Sequence, residues 1–359
     1  MSDVEKRIKI RRSCARSLSG HGEPTMRERL AGLIALPESE GYPDLYGFGD
    51  PVTLLERRVA ELLDKPAARF VVKGMIAQQA ALRTWTDSVR IGTVALHPLG
   101  HIDSDELGAF ERLHPLRGVR LGGKRGFGVE DLEKVGEPLG AVVVELPLRN
   151  AGFALPEWDD LVAQTSWARD RGAAAHLDGA RLWEASAGYG RSPAAVAALF
   201  DTVYVSFYKG IGALPGCCVA GSAEDVAQVR EWRGRMGGTL FALWPAASSA
   251  LGLLDASLAE MPARLTHARA IAAALAWVPE IRVVPDPPQT PMMHLLFRTT
   301  TERFRVNAKR ISEETGLWVW PNAVETGDPA VVRCELSVGR ATLRHKPEKI
   351  AEILTGLCA

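Results

Sequence analysis

The chain has no surplus of charge and little cysteine. Lysine and arginine number 43 and aspartate and glutamate 43, a formal net charge of zero, so no bulk field draws it to nucleic acid or to an anionic membrane. Five cysteines in 359 residues, two of them the adjacent Cys217 and Cys218, do not make a disulfide framework, and a reducing cytoplasm is the expected compartment. No stretch reaches the roughly 18 consecutive apolar residues of a membrane span, and the N-terminus has no apolar signal core. No internal repeat and no Ser-His-Asp or Cys-His signature is present. His97 and His101 have a metal-like spacing, but Pro98 and Gly100 oppose the helix that would put both rings on one face, and no metal is expected.

What remains is an ordinary globular composition, 47% hydrophobic and 24% charged, in a chain long enough for two domains. The expected division is an arm at 1–25, a large α/β domain at 26–250 and a small α+β domain at 251–359. The basic segment KRIKIRRSCAR, with Ile8 and Ile10 alternating, reads as an edge strand or docked arm. The glycine cluster at 122–128 lacks phosphate-loop spacing and reads as a surface turn. PDPPQTP at 285–291 reads as a linker or edge loop. The runs HLLFRT, LWVWPNAV and VVRCELSVG, with a helix at NAKRISEETG, give the small domain its strands.

The informative stretch runs from His176 to Gly216: a strand ending in Asp178-Gly179-Ala180-Arg181, an alanine-rich helix, and a second strand ending in Tyr208-Lys209-Gly210. Apolar runs bounded by glycine are the mark of buried parallel strands, and active sites of open α/β sheets lie at strand carboxyl ends. Asp178, Arg181 and Lys209 are therefore expected to converge. An acid, an arginine and a lysine so placed suit pyridoxal 5'-phosphate, which needs a lysine for its Schiff base and a carboxylate to keep its ring nitrogen protonated. Arg181 would face the cofactor's phenolate or a substrate carboxylate, and Ser206 the phosphate side. A second signal is ARFVVKG followed by MIAQQAALRTW: a strand, Gly74 and a helix N-terminus form a backbone anion site.

The segments HLDGARLWEA, SFYKGIGALPG and WRGRMGG resemble the low-specificity threonine aldolase branch of the fold-type I, pyridoxal-phosphate-dependent β-eliminating lyases. The resemblance implies a large domain built on a mostly parallel seven-stranded sheet, a small C-terminal α+β domain, and a homodimer or homotetramer acting on an amino acid. It implies that His101 stacks on the cofactor ring and serves as a possible acid or base, that Ser13 and Arg333 meet the substrate carboxylate (Arg340 and Arg344 being alternatives), and that Tyr46 lies at the substrate side of the site. The chain departs from the family in four places. Arg12-Ser13-Cys14 replaces Arg-Ser-Asp. Lys73-Gly74-Met75 replaces Ser-Gly-Thr, so Lys73 supplies charge where hydroxyls held phosphate. Leu148 stands at the second histidine, and Phe241 replaces an arginine. The expected reaction is retro-aldol cleavage of a β-hydroxy-α-amino acid. The alternatives are β- or γ-elimination on a larger apolar amino acid, or a non-catalytic protein on the same fold.

Overall fold

A computed structural model describes residues 3–124, 126–319 and 323–359. Arg125, in the expected glycine-rich turn, and residues 320–322, in the expected strand LWVWPNAV, lie outside the described residues. The chain forms two compact units, Met26–Ala259 and Met1–Thr25 together with Glu260–Ala359.

In the unit that joins the two ends of the chain, the basic N-terminal segment forms a helix, Asp3–Ser13: of the two expected forms, it is a docked arm and not an edge strand. Its Lys, Arg and Glu residues are good helix formers, and Arg11 and Arg12 fall in the last turn, where the helix dipole favours cations. Ile10 is buried while Ile8 is exposed, and the helix packs on the helix Thr301–Thr315. Strand β1 (Arg16–Ser17) follows it.

The other unit is organised by seven strands: β2 (Ala67–Val71), β3 (Thr93–Leu96), β4 (Arg117–Arg120), β5 (Ala141–Glu145), β6 (Ala174–Gly179), β7 (Thr202–Ser206) and β8 (Cys217–Gly221). They lie in the order β2-β8-β7-β6-β5-β3-β4. Only β8 runs against its neighbours, so the carboxyl ends of β2, β3, β5, β6 and β7 share one edge. Every residue of β6, β7 and β8 is buried, as expected of strands covered on both faces. The connection from β6 to β7 is two helices, Leu182–Tyr189 and Pro193–Ala197, not the single one expected. Gly190, at φ 63°, ends the first. Ser192 caps the second by accepting the Ala195 amide, with Pro193 at its first turn.

The helix Gly74–Val89 packs on β5 to β8 and is pinned by His176 at the heart of β6. The Trp85 indole donates to Thr202 Oγ1 at 2.9 Å, the Thr202 hydroxyl meets His176 Nδ1 at 2.8 Å, and His176 Nε2 donates to Gln78 Oε1 at 2.7 Å. Burial lowers the His176 pKa to about 4, so the ring is neutral and fully engaged in holding helix to sheet.

The unit that joins the two chain ends is completed by β9 (Ile281–Val284), β10 (Met292–Arg298), β11 (Leu317–Trp318), β12 (Val324–Glu325) and β13 (Val331–Ser337). β1 pairs in parallel with β11, and the other four form an antiparallel sheet in the order β12-β13-β10-β9. PDPPQTP is the connection between β9 and β10. Phe297 and Phe304 meet edge-on in this unit's core, their centroids 5.1 Å apart.

Candidate active site

The shared carboxyl edge of the large sheet gathers chemistry-bearing side chains from five strands. Asp178 is the penultimate residue of β6, in register with Glu145 of β5 on one side and Tyr204 of β7 on the other. It is buried, and its Oδ1 accepts the Ala180 amide at 3.2 Å. Burial pushes its carboxyl above the usual range, against the pull of Lys209 and His101. Burial raises Glu145 too, with Asp178 as a like-charged neighbour. Glu145 Oε2 accepts the His101 amide at 2.6 Å and Oε1 the Arg149 amide at 3.0 Å, so this carboxyl fixes two loops around the pocket.

Lys209 lies three residues past the end of β7. Burial first, then the Arg181 cation, lower its amine to about 8, although Asp178, Glu145 and Glu184 pull the other way. The Arg181 guanidinium lies over the Phe153 ring at 5.2 Å, and its Nε has no hydrogen-bond partner among the described residues. Glu184, buried in the helix after Arg181, stands where a side chain at position 210 would have to go, which explains the glycine after the lysine.

His101 begins a short helix after β3. Its Nδ1 lies 3.0 Å from Glu106 Oε1, and this bond, ahead of the nearby Asp178, raises the imidazole's pKa despite burial and Lys209. His97 belongs elsewhere: its Nδ1 accepts the Leu99 amide at 3.0 Å and its ring stacks near Phe127. Among the described residues no group of three or more His, Cys, Asp or Glu could hold a metal.

On the phosphate side, Lys73 is exposed, and Gly74 opens its helix with Met75 half-buried behind it. A side chain at Gly74 would run into the Tyr204 hydroxyl. Ser206, last in β7, is buried with its Oγ unpartnered among the described residues. Charges at Lys73 and Lys209 both act on the Cys217 thiol, which lies in register with Ser206 and Val71.

These observations fit a pyridoxal phosphate: a buried carboxylate short of donors, a neighbouring lysine amine of lowered pKa, an orphaned buried hydroxyl, and free amides at a helix start. Leu148 is buried at the turn after β5, its amide donating to Ala154 O at 2.9 Å. Tyr46 is apart from this group. It has φ 54°, its amide donates to Phe241 O at 2.8 Å, and it lines a cavity of about 410 Å³ with Phe48, Arg230, Arg233, Arg235 and Thr239. Ser13 and Arg333 fall in the other unit. The Ser13 hydroxyl donates to Ile10 O at 2.7 Å. Arg333 is half-buried on β13, between Leu296 and Val324.

The beta-eliminating lyase family pattern matches residues 21–298. This chain belongs to that family. Its curated relatives include aldolase vrtJ of Penicillium aethiopicum, 32% identical over 64% of this chain and 61% of the relative, a share under two thirds of that protein's length. Low-specificity L-threonine aldolase 1 of Arabidopsis thaliana is 25% identical over 84% of this chain and 87% of its own. Among solved structures, a Listeria monocytogenes EGD-E protein described as an L-allo-threonine aldolase is 30% identical, with a TM-score of 0.91 and coverage of 99% of this chain and 98% of that one. The seven-stranded, mostly parallel sheet with a small antiparallel domain is thus the fold of this lyase family, as the resemblance implied.

Glu106, Gln79, Glu145 and Tyr204 were not among the residues picked out from sequence. Glu106 follows His101 by five positions and Glu145 ends the clearest apolar strand, but neither spacing says that the side chain turns inward.

Proposed function

We propose that this beta-eliminating lyase family member is a pyridoxal-phosphate-dependent aldehyde-lyase that cleaves a β-hydroxy-α-amino acid to glycine and an aldehyde. The observation that carries the reading is the Lys209 amine, lowered to about 8, beside the buried carboxyl of Asp178. Lys209 would hold the cofactor covalently, Asp178 its ring nitrogen, and Arg181 its phenolate edge, with His101 stacking on the ring. The amides at Gly74 and Met75, the Lys73 cation and the Ser206 hydroxyl would hold its phosphate. When bound, pyridoxal phosphate supplies a ring that accepts the electron pair of the bond broken at Cα. The protein's task is then positional: Asp178 would keep a proton on the ring nitrogen and His101 would handle protons near the reacting carbon; for the substrate carboxylate the resemblance names Ser13 and Arg333, and for the substrate side Tyr46, as the residues to test by mutation.

A second reading, β- or γ-elimination on a larger apolar amino acid, is favoured by one observation, the buried Leu148 at the position of the family's second histidine. Incubation with L-threonine and L-allo-threonine separates the two. Glycine with acetaldehyde supports aldol cleavage. A keto acid with ammonia supports elimination, and no product from either reaction with a panel of amino acids would overturn the enzyme reading.

We further infer a homo-oligomer, a homodimer or homotetramer. The helix Met26–Ile34 buries no residue and carries Met26, Leu30 and Ile34 exposed along one stripe, and Phe48 and Phe241 are also exposed. The described cysteines are all free, which supports a reducing cytoplasm, and among the described residues no helix is long and apolar enough to cross a membrane.

A further inference from the structure

We infer that Glu106, held in place by Gln79, fixes the tautomer of His101, so that His101 and Glu106 act as one proton-transfer unit at the substrate's β-hydroxyl. The inference rests on the reading of this pocket as a lyase site.

The geometry allows one arrangement of protons. Glu106 is 1% exposed and both its carboxylate oxygens are engaged: Oε1 lies 3.0 Å from His101 Nδ1, and Oε2 accepts from Gln79 Nε2 at 3.1 Å. A carboxylate only accepts, so Nδ1 donates and the neutral ring carries its lone pair on Nε2. Nε2 has no hydrogen-bond partner among the described residues, while the ring is close enough to Asp178 and Lys209 to be influenced by both charges. The turn is shaped for this purpose. Leu107 sits at φ 57°, a conformation costly without glycine, and is 88% exposed while Glu106 beside it points inward. The other groups facing His101 are Asp105, whose carboxyl interacts with the ring, and Glu145, which accepts the His101 amide.

In the forward direction Nε2 takes the β-hydroxyl proton. The O–H bond breaks and an N–H bond forms, the freed oxygen pair closes the aldehyde C=O, and the pair of the Cα–Cβ bond passes to Cα. Glu106 neutralises the imidazolium until the proton returns, directly or through water, to Cα, so the sum is glycine plus aldehyde. With Leu148 unable to transfer protons, His101 is the imidazole available for this.

The test is Glu106→Gln. Gln79 still donates to the oxygen at position 106, which leaves the new amide nitrogen facing His101 Nδ1 and forces the proton onto Nε2. Expected are a kcat loss of about 100-fold or more on L-allo-threonine or L-threonine, KM and cofactor content near wild type, and a switch from the Nδ1–H to the Nε2–H tautomer in nitrogen-15 spectra of the His101 ring. The swapped pair, Glu106→Gln with Gln79→Glu, returns an oxygen to Nδ1. It should recover the tautomer and most of kcat, with the acid limb of the pH profile at lower pH because the charge has moved away. A wild-type His101 in the Nε2–H tautomer, or a Glu106→Gln protein with wild-type kcat, would overturn the inference. If the variant does not fold, the wild-type tautomer decides it. A wild-type protein that cleaves neither amino acid overturns the activity instead, and the tautomer, read without substrate, still tests Glu106.

Discussion

An amine attacks a carbonyl only when neutral, and the surroundings of Lys209 are arranged to make it so. With its pKa lowered from 10.5 to about 8, roughly a tenth of the amine is free at pH 7, against about 0.03% for an unperturbed lysine. The rate at which cofactor-free protein takes up pyridoxal phosphate should therefore rise with pH to a midpoint near 8, as followed by absorbance. Arg181→Leu removes a cation that disfavours the protonated amine, so the midpoint should move up. An unchanged midpoint would show that burial alone sets it. At this scale Lys209, Asp178 and Arg181 were legible because strand ends and a three-residue spacing placed them together. Glu106 was not: a glutamate in a charged stretch reads as solvated, and only its pairing with Gln79, 27 positions away, turns it inward. Tyr46 was named through the family resemblance, and its placement beside Phe241 depends on Asp44. That residue's buried carboxylate accepts the amides of Leu243 and Trp244 at 2.7 and 2.6 Å, a contact far apart in sequence.

The helix Gly74–Val89 shows how an element carries a site. Its first amides are free because they open the helix, and the chain there can come close to Tyr204 because residue 74 has no side chain. Gly74→Ala should weaken pyridoxal phosphate binding about tenfold or more, corresponding to ~1.4 kcal/mol, as measured by cofactor titration. Gly74→Ala with Tyr204→Phe removes the hydroxyl in the way and should recover part of the loss. If the double variant binds no better than the single, steric crowding is not the cause. The strand, glycine and helix were readable from the apolar run ARFVV and the alanine-rich helix. Of the two readings of the N-terminal segment the edge strand fails, because two isoleucines at alternate positions mimic a strand over so short a stretch, whereas helix propensity and the partner helix Thr301–Thr315 make it a docked helical arm. The link between β6 and β7 was misjudged by one break, although Gly190, Ser192 and Pro193 carry the stop and start signals.

For the whole molecule, the apolar stripe of Met26–Ile34 stays exposed among the described residues. The protein should elute as a multiple of its 38.9 kDa chain mass in light scattering, and Leu30→Glu with Ile34→Glu should shift it toward the monomer. A wild-type monomer would contradict the oligomer. One unit is built from both ends of the chain, and that union of the expected arm with the expected small domain could not be read from sequence, because the pairing of β1 with β11 links residues about 300 apart, beyond the reach of any local pattern. The measurement that tests the account most directly is borohydride reduction of the protein after incubation with pyridoxal phosphate and removal of excess, followed by peptide mapping in a mass spectrometer. The account predicts about one pyridoxyl group per chain, on Lys209, and none in Lys209→Ala. Failure to retain the cofactor, or label scattered over exposed lysines such as Lys73 with Lys209 unmodified, would contradict it.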